Sequence, residues 1–314
     1  MQLSQQTSRR SQSGMTLVEM IVAVALLVLI VTALLGAFNQ TTRAFKTGFN
    51  QTDVQESGRA AVEMVTRVLT DLSPSGLGNI NPDAFSLFSP LQSTSGVTLP
   101  LSTTSPRQQL FMQKLLVLHR SQDEWIRSAF LVAHLDSNAY PWGNPEEVLI
   151  GSLYRYQFSA LTSVTNRGFL DANLAKTLLE PRDVKIGGID PRRYSRVIDG
   201  VVHFSVRTSN MGAEWFDSGR VTNLVSEIGI YRRLPGLETF GVWSRFPDGI
   251  SEIYTGAMLP SYVEIEIGLL EQEALTQVRA LLADKVATSD FLKRNAHRIH
   301  FFRQRVPIRL GVSL

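Results

Sequence analysis

One carboxylate stands inside the longest apolar run of this chain. From Met15 to Phe38 the sequence reads MTLVEMIVAVALLVLIVTALLGAF, and Glu19 is the single ionisable group among those 24 residues. A charged carboxylate this close to lipid costs several kcal/mol unless it meets a partner, so Glu19 marks a functional position. A local partner is at hand. Thr16 and Glu19 fit the S/T-x-x-E capping box, with Thr16 as N-cap and Glu19 three positions into the helix. Capping accounts for a glutamate near a membrane surface but gives it no role beyond the helix start.

No other residue set points to chemistry. His119, His134, His203, His297 and His300 are scattered, and only the last two are close. Their i, i+3 spacing suits a metal on a helix, but HRIHFFRQRV reads as a strand, where the two would sit on opposite faces. Lys185–Gly188 (KIGG) lacks the G-x-x-x-x-G-K spacing of a phosphate loop, and no G-x-S-x-G occurs. The acidic stretches 183–190 and 248–252 could bind calcium, yet neither has EF-hand spacing, and solvated loop charges describe them better. Trp125, Trp142, Trp215 and Trp243 are most simply core or interface residues. The sequence therefore predicts no catalytic residues, no metal site and no cofactor.

Composition narrows the classes further. The chain has no cysteine, which removes disulfides, thiolate metal sites and cysteine nucleophiles. Its 31 Lys and Arg are spread among 28 Asp and Glu, for a net charge of +3, so no basic footprint predicts nucleic-acid binding. A hydrophobic content of 44% over 314 residues is that of a folded protein with a sizeable core.

The element that positions Glu19 is a long helix. At about 1.5 Å per residue, Met15–Phe38 spans roughly 36 Å, enough to cross a hydrocarbon core of about 30 Å. Arg9 and Arg10 before it favour a cytoplasmic N-terminus, a bias that Arg43 and Lys46 beyond it weaken. A cleaved secretory signal would have a shorter core and a small-residue site after it. A plain signal anchor fits length and charge but leaves Glu19 without a role. No proline interrupts the chain from Met15 to Pro74, so the helix continues. Val54, Ala61, Val62, Val65, Val68, Leu69 and Leu72 recur at helical spacing and form an amphipathic stripe.

Beyond it, residues 73–108 read as a long loop with room for short strands. Strands are predicted over Leu110–His119, Trp125–His134, Leu149–Ser159, Val201–Thr208 and around Val263–Ile267, and a final one in the tail, with Pro307 placing it at an edge. Short helices are predicted over residues 171–180 and Glu271–Asp284. The fold class is α+β: a long N-terminal helix, membrane-spanning first and amphipathic second, packed on a mainly antiparallel sheet.

Ser13-Gly14-Met15-Thr16-Leu17-Val18-Glu19 resembles the leader junction of type IV prepilins and type II secretion pseudopilins. In that family a glycine precedes the cut, an apolar residue follows, and a glutamate stands at the fifth position of the mature chain. Phenylalanine is usual after the glycine, so Met15 is a departure, though an apolar one. Many relatives carry a proline in the membrane half; with none here, any kink falls to Gly36. The resemblance implies that a prepilin peptidase cuts between Gly14 and Met15 and methylates the new amine of Met15. It also implies that Glu19 pairs with the Met15 amine of a neighbouring subunit and sets axial register. The implied organisation is a leader (1–14), a transmembrane helix (15–38), an amphipathic continuation (39–72) and a periplasmic head (73–314).

Leu153-Tyr154-Arg155, Val201–Arg207 followed by Glu214-Trp215, and Leu259-Pro260-Ser261-Tyr262-Val263-Glu264-Ile265 resemble, in that order, segments of the larger minor subunits, the J-type pseudopilin and W-type minor pilins. The implied partners are prepilin peptidase, other pilin or pseudopilin subunits, inner-membrane lipid and secreted cargo. The competing class is a membrane-anchored periplasmic binding or enzymatic domain without a filament role.

Overall fold

The computed structural model describes residues 16–72, 83–90, 98–99, 108–110, 112–121, 124–134, 149–161, 194–209, 215–216, 241–246, 249–255, 259–282 and 284–308. It divides into two units, Met1–Asn50 and Gln51–Leu314. Helix α1, Leu17–Thr70, contributes residues to both. In the first unit every side chain from Thr16 to Phe49 is exposed.

The second unit is built on a sheet whose pairings are all antiparallel. Its strands are β1 (Asp83–Pro90), β4 (Lys114–Ser121), β5 (Glu124–His134), β6 (Gly151–Leu161), β7 (Tyr194–Ser209), β8 (Trp215–Phe216), β9 (Gly241–Phe246), β10 (Gly249–Thr255), β11 (Tyr262–Leu270) and β12 (Ile299–Pro307). Their order is β12-β11-β7-β6-β5-β4-β1-β10-β9, with β8 added to the end of β7. Two short strands, β2 (Thr98–Leu99) and β3 (Gln108–Gln109), pair apart from it. β7 is long because it serves two neighbours in turn: Tyr194–Val201 pairs with β6, and Val201–Ser209 with β11. Gln113 is wholly buried alongside; its amide donates to the Phe204 carbonyl at 2.9 Å, and its side chain accepts from the Val206 amide. One glutamine thus satisfies the strand backbone where β6 no longer runs beside it.

Side-chain alternation gives the sheet two apolar faces. On one, Val263, Ile265, Ile267 and Leu269 join Phe204, Val206, Leu115, Phe130 and Leu153 beneath the stripe of α1. Val54, Ala61, Val62, Val65, Val68 and Leu69 are all buried there, and each fully buried aliphatic side chain contributes roughly 1.5–3 kcal/mol. Gly58 lies in the same stripe because β12 comes close: a Cβ at that position would stand 2.3 Å from the Phe302 ring.

On the opposite face Leu270, Val202 and Ile299 pack under two further helices, α2 (Gln272–Val278) and α3 (Lys285–Arg294). α3 begins at Asp284, whose carboxylate accepts from the Val286 and Ala287 amides at 2.9 and 3.1 Å. Lys293 and Arg294 in its last turn suit the negative end of the helix dipole. A bulge in β7 inserts Val202 between the residues that pair with Leu269 and Gly268. Gly200, at φ +76°, takes the backbone into that bulge in a conformation a Cβ would strain.

His203, next to the bulge, is fully buried 5.7 Å from the Phe301 ring. Burial lowers its imidazole from 6.5 to about 4; Glu266 opposes the shift, while Arg303 and Arg207 add to it. Between those two values the unfolded chain binds the proton that the folded chain refuses. Stability is therefore full above pH 6.5 and is lost as pH falls towards 4, by roughly 3 kcal/mol from this residue. His119, also lowered mainly by burial, acts in the same direction. Urea unfolding measured across this range should show the decline, and His203→Gln should make it shallower. An unchanged slope would place the effect elsewhere.

Several expectations need correction. The segment 73–108 is not only loop, since β1 lies within it and pairs with both β4 and β10. The strand expected at Leu110 starts at Lys114, because residues 110–113 turn aside towards β7. Helix Glu271–Asp284 shortens to α2 and tightens into a 3-10 turn, Arg279–Leu281, and α3 follows it unforeseen. Residues 249–252 belong to β10 rather than to an acidic loop, with Glu252 set opposite Trp243 and Leu87. The helix expected over 171–180 lies outside the described residues. Strand β12 is an edge strand ending at Pro307, as the proline suggested.

Candidate functional site

The site is the start of α1. Gly14 and Met15 lie outside the described residues; Thr16 and Glu19 are within them. The Thr16 amide donates to Glu19 Oε2 at 2.9 Å, and the Glu19 amide donates to Thr16 Oγ1 at 3.3 Å. These reciprocal bonds satisfy two amides that a helix start leaves unpaired. The first intrahelical bond, from the Met20 amide to the Thr16 carbonyl, follows at 3.2 Å. Glu19 is thus held one turn into the helix, with its carboxylate directed back towards the segment that carries Met15.

The helix leading away from Glu19 suits a membrane by length and composition. Its aliphatic side chains are exposed on every face, from Leu17 at 75% to Val31 at 46%, which in water would be a large hydration cost. Its polar groups are satisfied internally. The Thr32 hydroxyl donates to the Val28 carbonyl at 2.8 Å, and Thr41, Thr42 and Thr47 bond back four residues in the same way. No hydroxyl in this stretch needs water, as a lipid-facing helix requires.

The head brings no catalytic set together. His119 contacts Ser128 at 3.2 Å beside the end of α1, where Leu72 bridges to the same histidine. His300 is held by Glu271 at 2.9 Å. His297 is on a 3-10 turn, Ala296–Arg298, and not on the strand expected; it is exposed, and α3 imposes that turn by ending at Asn295. His134 is on β5, and its side chain is outside the description. Residues 183–190, which include Lys185–Gly188, and Trp142 lie outside it altogether. Trp125 is buried on β5, and Trp215 and Trp243 fall on β8 and β9. Among the described residues no three His, Asp or Glu side chains converge as metal ligands would.

The head does contain an ion ladder that sequence reasoning passed over. Glu264 on β11 lies between Arg207 on β7 and Arg305 on β12 and bonds both; Arg303 reaches it at 3.8 Å and bonds Glu266 at 2.9 Å. The alternation Tyr-Val-Glu-Ile-Glu-Ile was the available signal, since it puts both acids on the face away from α1.

Residues 9–35 match a family model described as the prokaryotic N-terminal methylation motif. The chain carries a prepilin-type N-terminus. The match supports a place in the type IV pilin and pseudopilin superfamily, and it covers the N-terminal segment alone. No curated protein and no solved structure matches the chain. A prepilin-type motif implies processing by a prepilin peptidase and assembly with other pilins, and its family is structural rather than catalytic. The long apolar helix followed by an antiparallel sheet is a pilin-like α+β architecture.

Proposed function

We propose that this chain is a minor pilin or pseudopilin subunit that helps initiate or cap a type II secretion pseudopilus or a type IV pilus. The precursor enters the inner membrane through residues 15–38 with its N-terminus cytoplasmic and its head, from residue 73, periplasmic. Prepilin peptidase cuts between Gly14 and Met15 and methylates the Met15 amine. The freed cation pairs with Glu19 of a neighbouring subunit in the filament core. There a low dielectric makes the pair strong enough to set register.

The observation that carries this reading is the methylation motif leading into an apolar helix whose one ionisable residue is Glu19. The minor-subunit assignment draws on the head phrases Leu153–Arg155, Val201–Arg207 and Leu259–Ile265. It also draws on the bulk of the head, which suits a filament end better than a stacked repeat. Such a head would contact other minor subunits or secreted cargo.

Mass spectrometry of the N-terminus tests it. The expected mature protein lacks the first 14 residues and begins with N-methylated Met15. An intact Met1, or a cut beyond Phe38, would sink the reading.

A further inference from the structure

A cleft of about 380 Å³ opens in the second unit between α1, β7, β11 and the start of α2. Its walls are aliphatic, from Val54, Ile198, Leu269 and Leu270, and Asp53, Glu56 and Asp199 contribute the charge. Asp199 is already engaged: it accepts from Ser152 Oγ at 2.6 Å and from Arg196 at 3.4 Å. Asp53 and Glu56 differ from the other acids of the head. Glu63 on the same helix is paired with Arg67, and Glu264, Glu266 and Glu271 all have basic partners. Asp53 and Glu56 form no ion pair with a described residue, although both line a concave surface.

The geometry selects among occupants. The acids do not converge as a metal's ligands would. A lysine or arginine suits the cleft better, because its aliphatic stem can lie along the Leu and Ile walls while its head reaches the carboxylates. We propose that this cleft receives a lysine or arginine side chain from a neighbouring subunit of the assembly. The proposal rests on the assembly role above and adds a contact within the head.

The test uses the full-length protein expressed with its partners, carrying a photoreactive benzoylphenylalanine in place of Ser57 on the cleft wall. Illumination should give an adduct with another prepilin-type subunit, and the cross-linked peptide should contain Lys or Arg. The double variant Asp53→Asn, Glu56→Gln removes two partly desolvated charge contacts and should lower adduct yield about tenfold. Both positions are exposed, so an unchanged melting midpoint would show that the variant is folded. No adduct, an adduct with lipid, or an adduct indifferent to the double variant would overturn the proposal. So would calcium or magnesium binding to the purified protein that the double variant abolishes. The N-terminus is read in the same samples. A mature Met15 without an adduct rejects the cleft contact alone; an uncut precursor rejects the assembly role with it.

Discussion

Replacing Glu19 by glutamine is expected to leave the start of α1 and cleavage intact while reducing incorporation into filaments at least about tenfold. Glutamine serves the third position of a capping box as well as glutamate does, so the bond with the Thr16 amide survives. The charge does not. In a filament core, removing one member of a buried ion pair leaves the other without compensation, at roughly 3–5 kcal/mol. Thr16→Ala is the converse control. It removes the hydroxyl that caps the helix, at about 1 kcal/mol, and leaves the carboxylate charged, so assembly should persist. The readout is the fraction of processed protein recovered in sheared filaments. Equal recovery of E19Q and the unmodified protein would confine Glu19 to its local cap.

The second large effect concerns the ladder on β11. Glu264 is only 8% exposed, and Arg207, its closest partner, 22%. Glu264→Ala strands that guanidinium among packed strands, so a loss of roughly 3 kcal/mol is expected, the lower end for a broken buried pair. In a domain of this size that lowers the thermal midpoint by roughly 5–10 °C, measurable by circular dichroism in detergent. Arg305→Ala should cost no more than about 1 kcal/mol, because Arg305 is 56% exposed and water replaces the contact. Similar losses from both variants would mean that the ladder acts as a surface network and not as a buried pair.

The α1 stripe and most of the strands were legible in the sequence because their signals are local and repeat. Val54, Ala61, Val62, Val65, Val68 and Leu69 follow one helical period, and each is buried. Val263, Ile265 and Ile267 alternate and share a face. What was missed depends on distant partners. Residues 110–113 are as apolar as a strand, yet Gln113 is recruited by the backbone of β7 far along the chain. α3 has only ten residues, with Val286 and Thr288 lowering its helix propensity; Asp284 as N-cap was its clearest signal. The hairpin β9–β10 is hidden because Gly241–Phe246 and Gly249–Thr255 carry Gly, Ser and charged residues among their apolar ones. At the candidate site, Thr16 and Glu19 could be read directly because a capping box spans four residues. Nothing local could reveal the cleft, whose Asp53, Asp199 and Gln272 come from three separate elements.

The approach of Gly58 to Phe302 has a consequence for the order of events during synthesis. It joins a helix made among the first residues to a strand made among the last, and β12 closes the edge of the sheet beneath that helix. The apolar stripe of α1 therefore has no complete cover until translation is nearly finished. Native contacts of such long sequence separation form slowly. For most of its synthesis the chain presents an uncovered amphipathic helix, the kind of surface that chaperones bind and that aggregates when left alone.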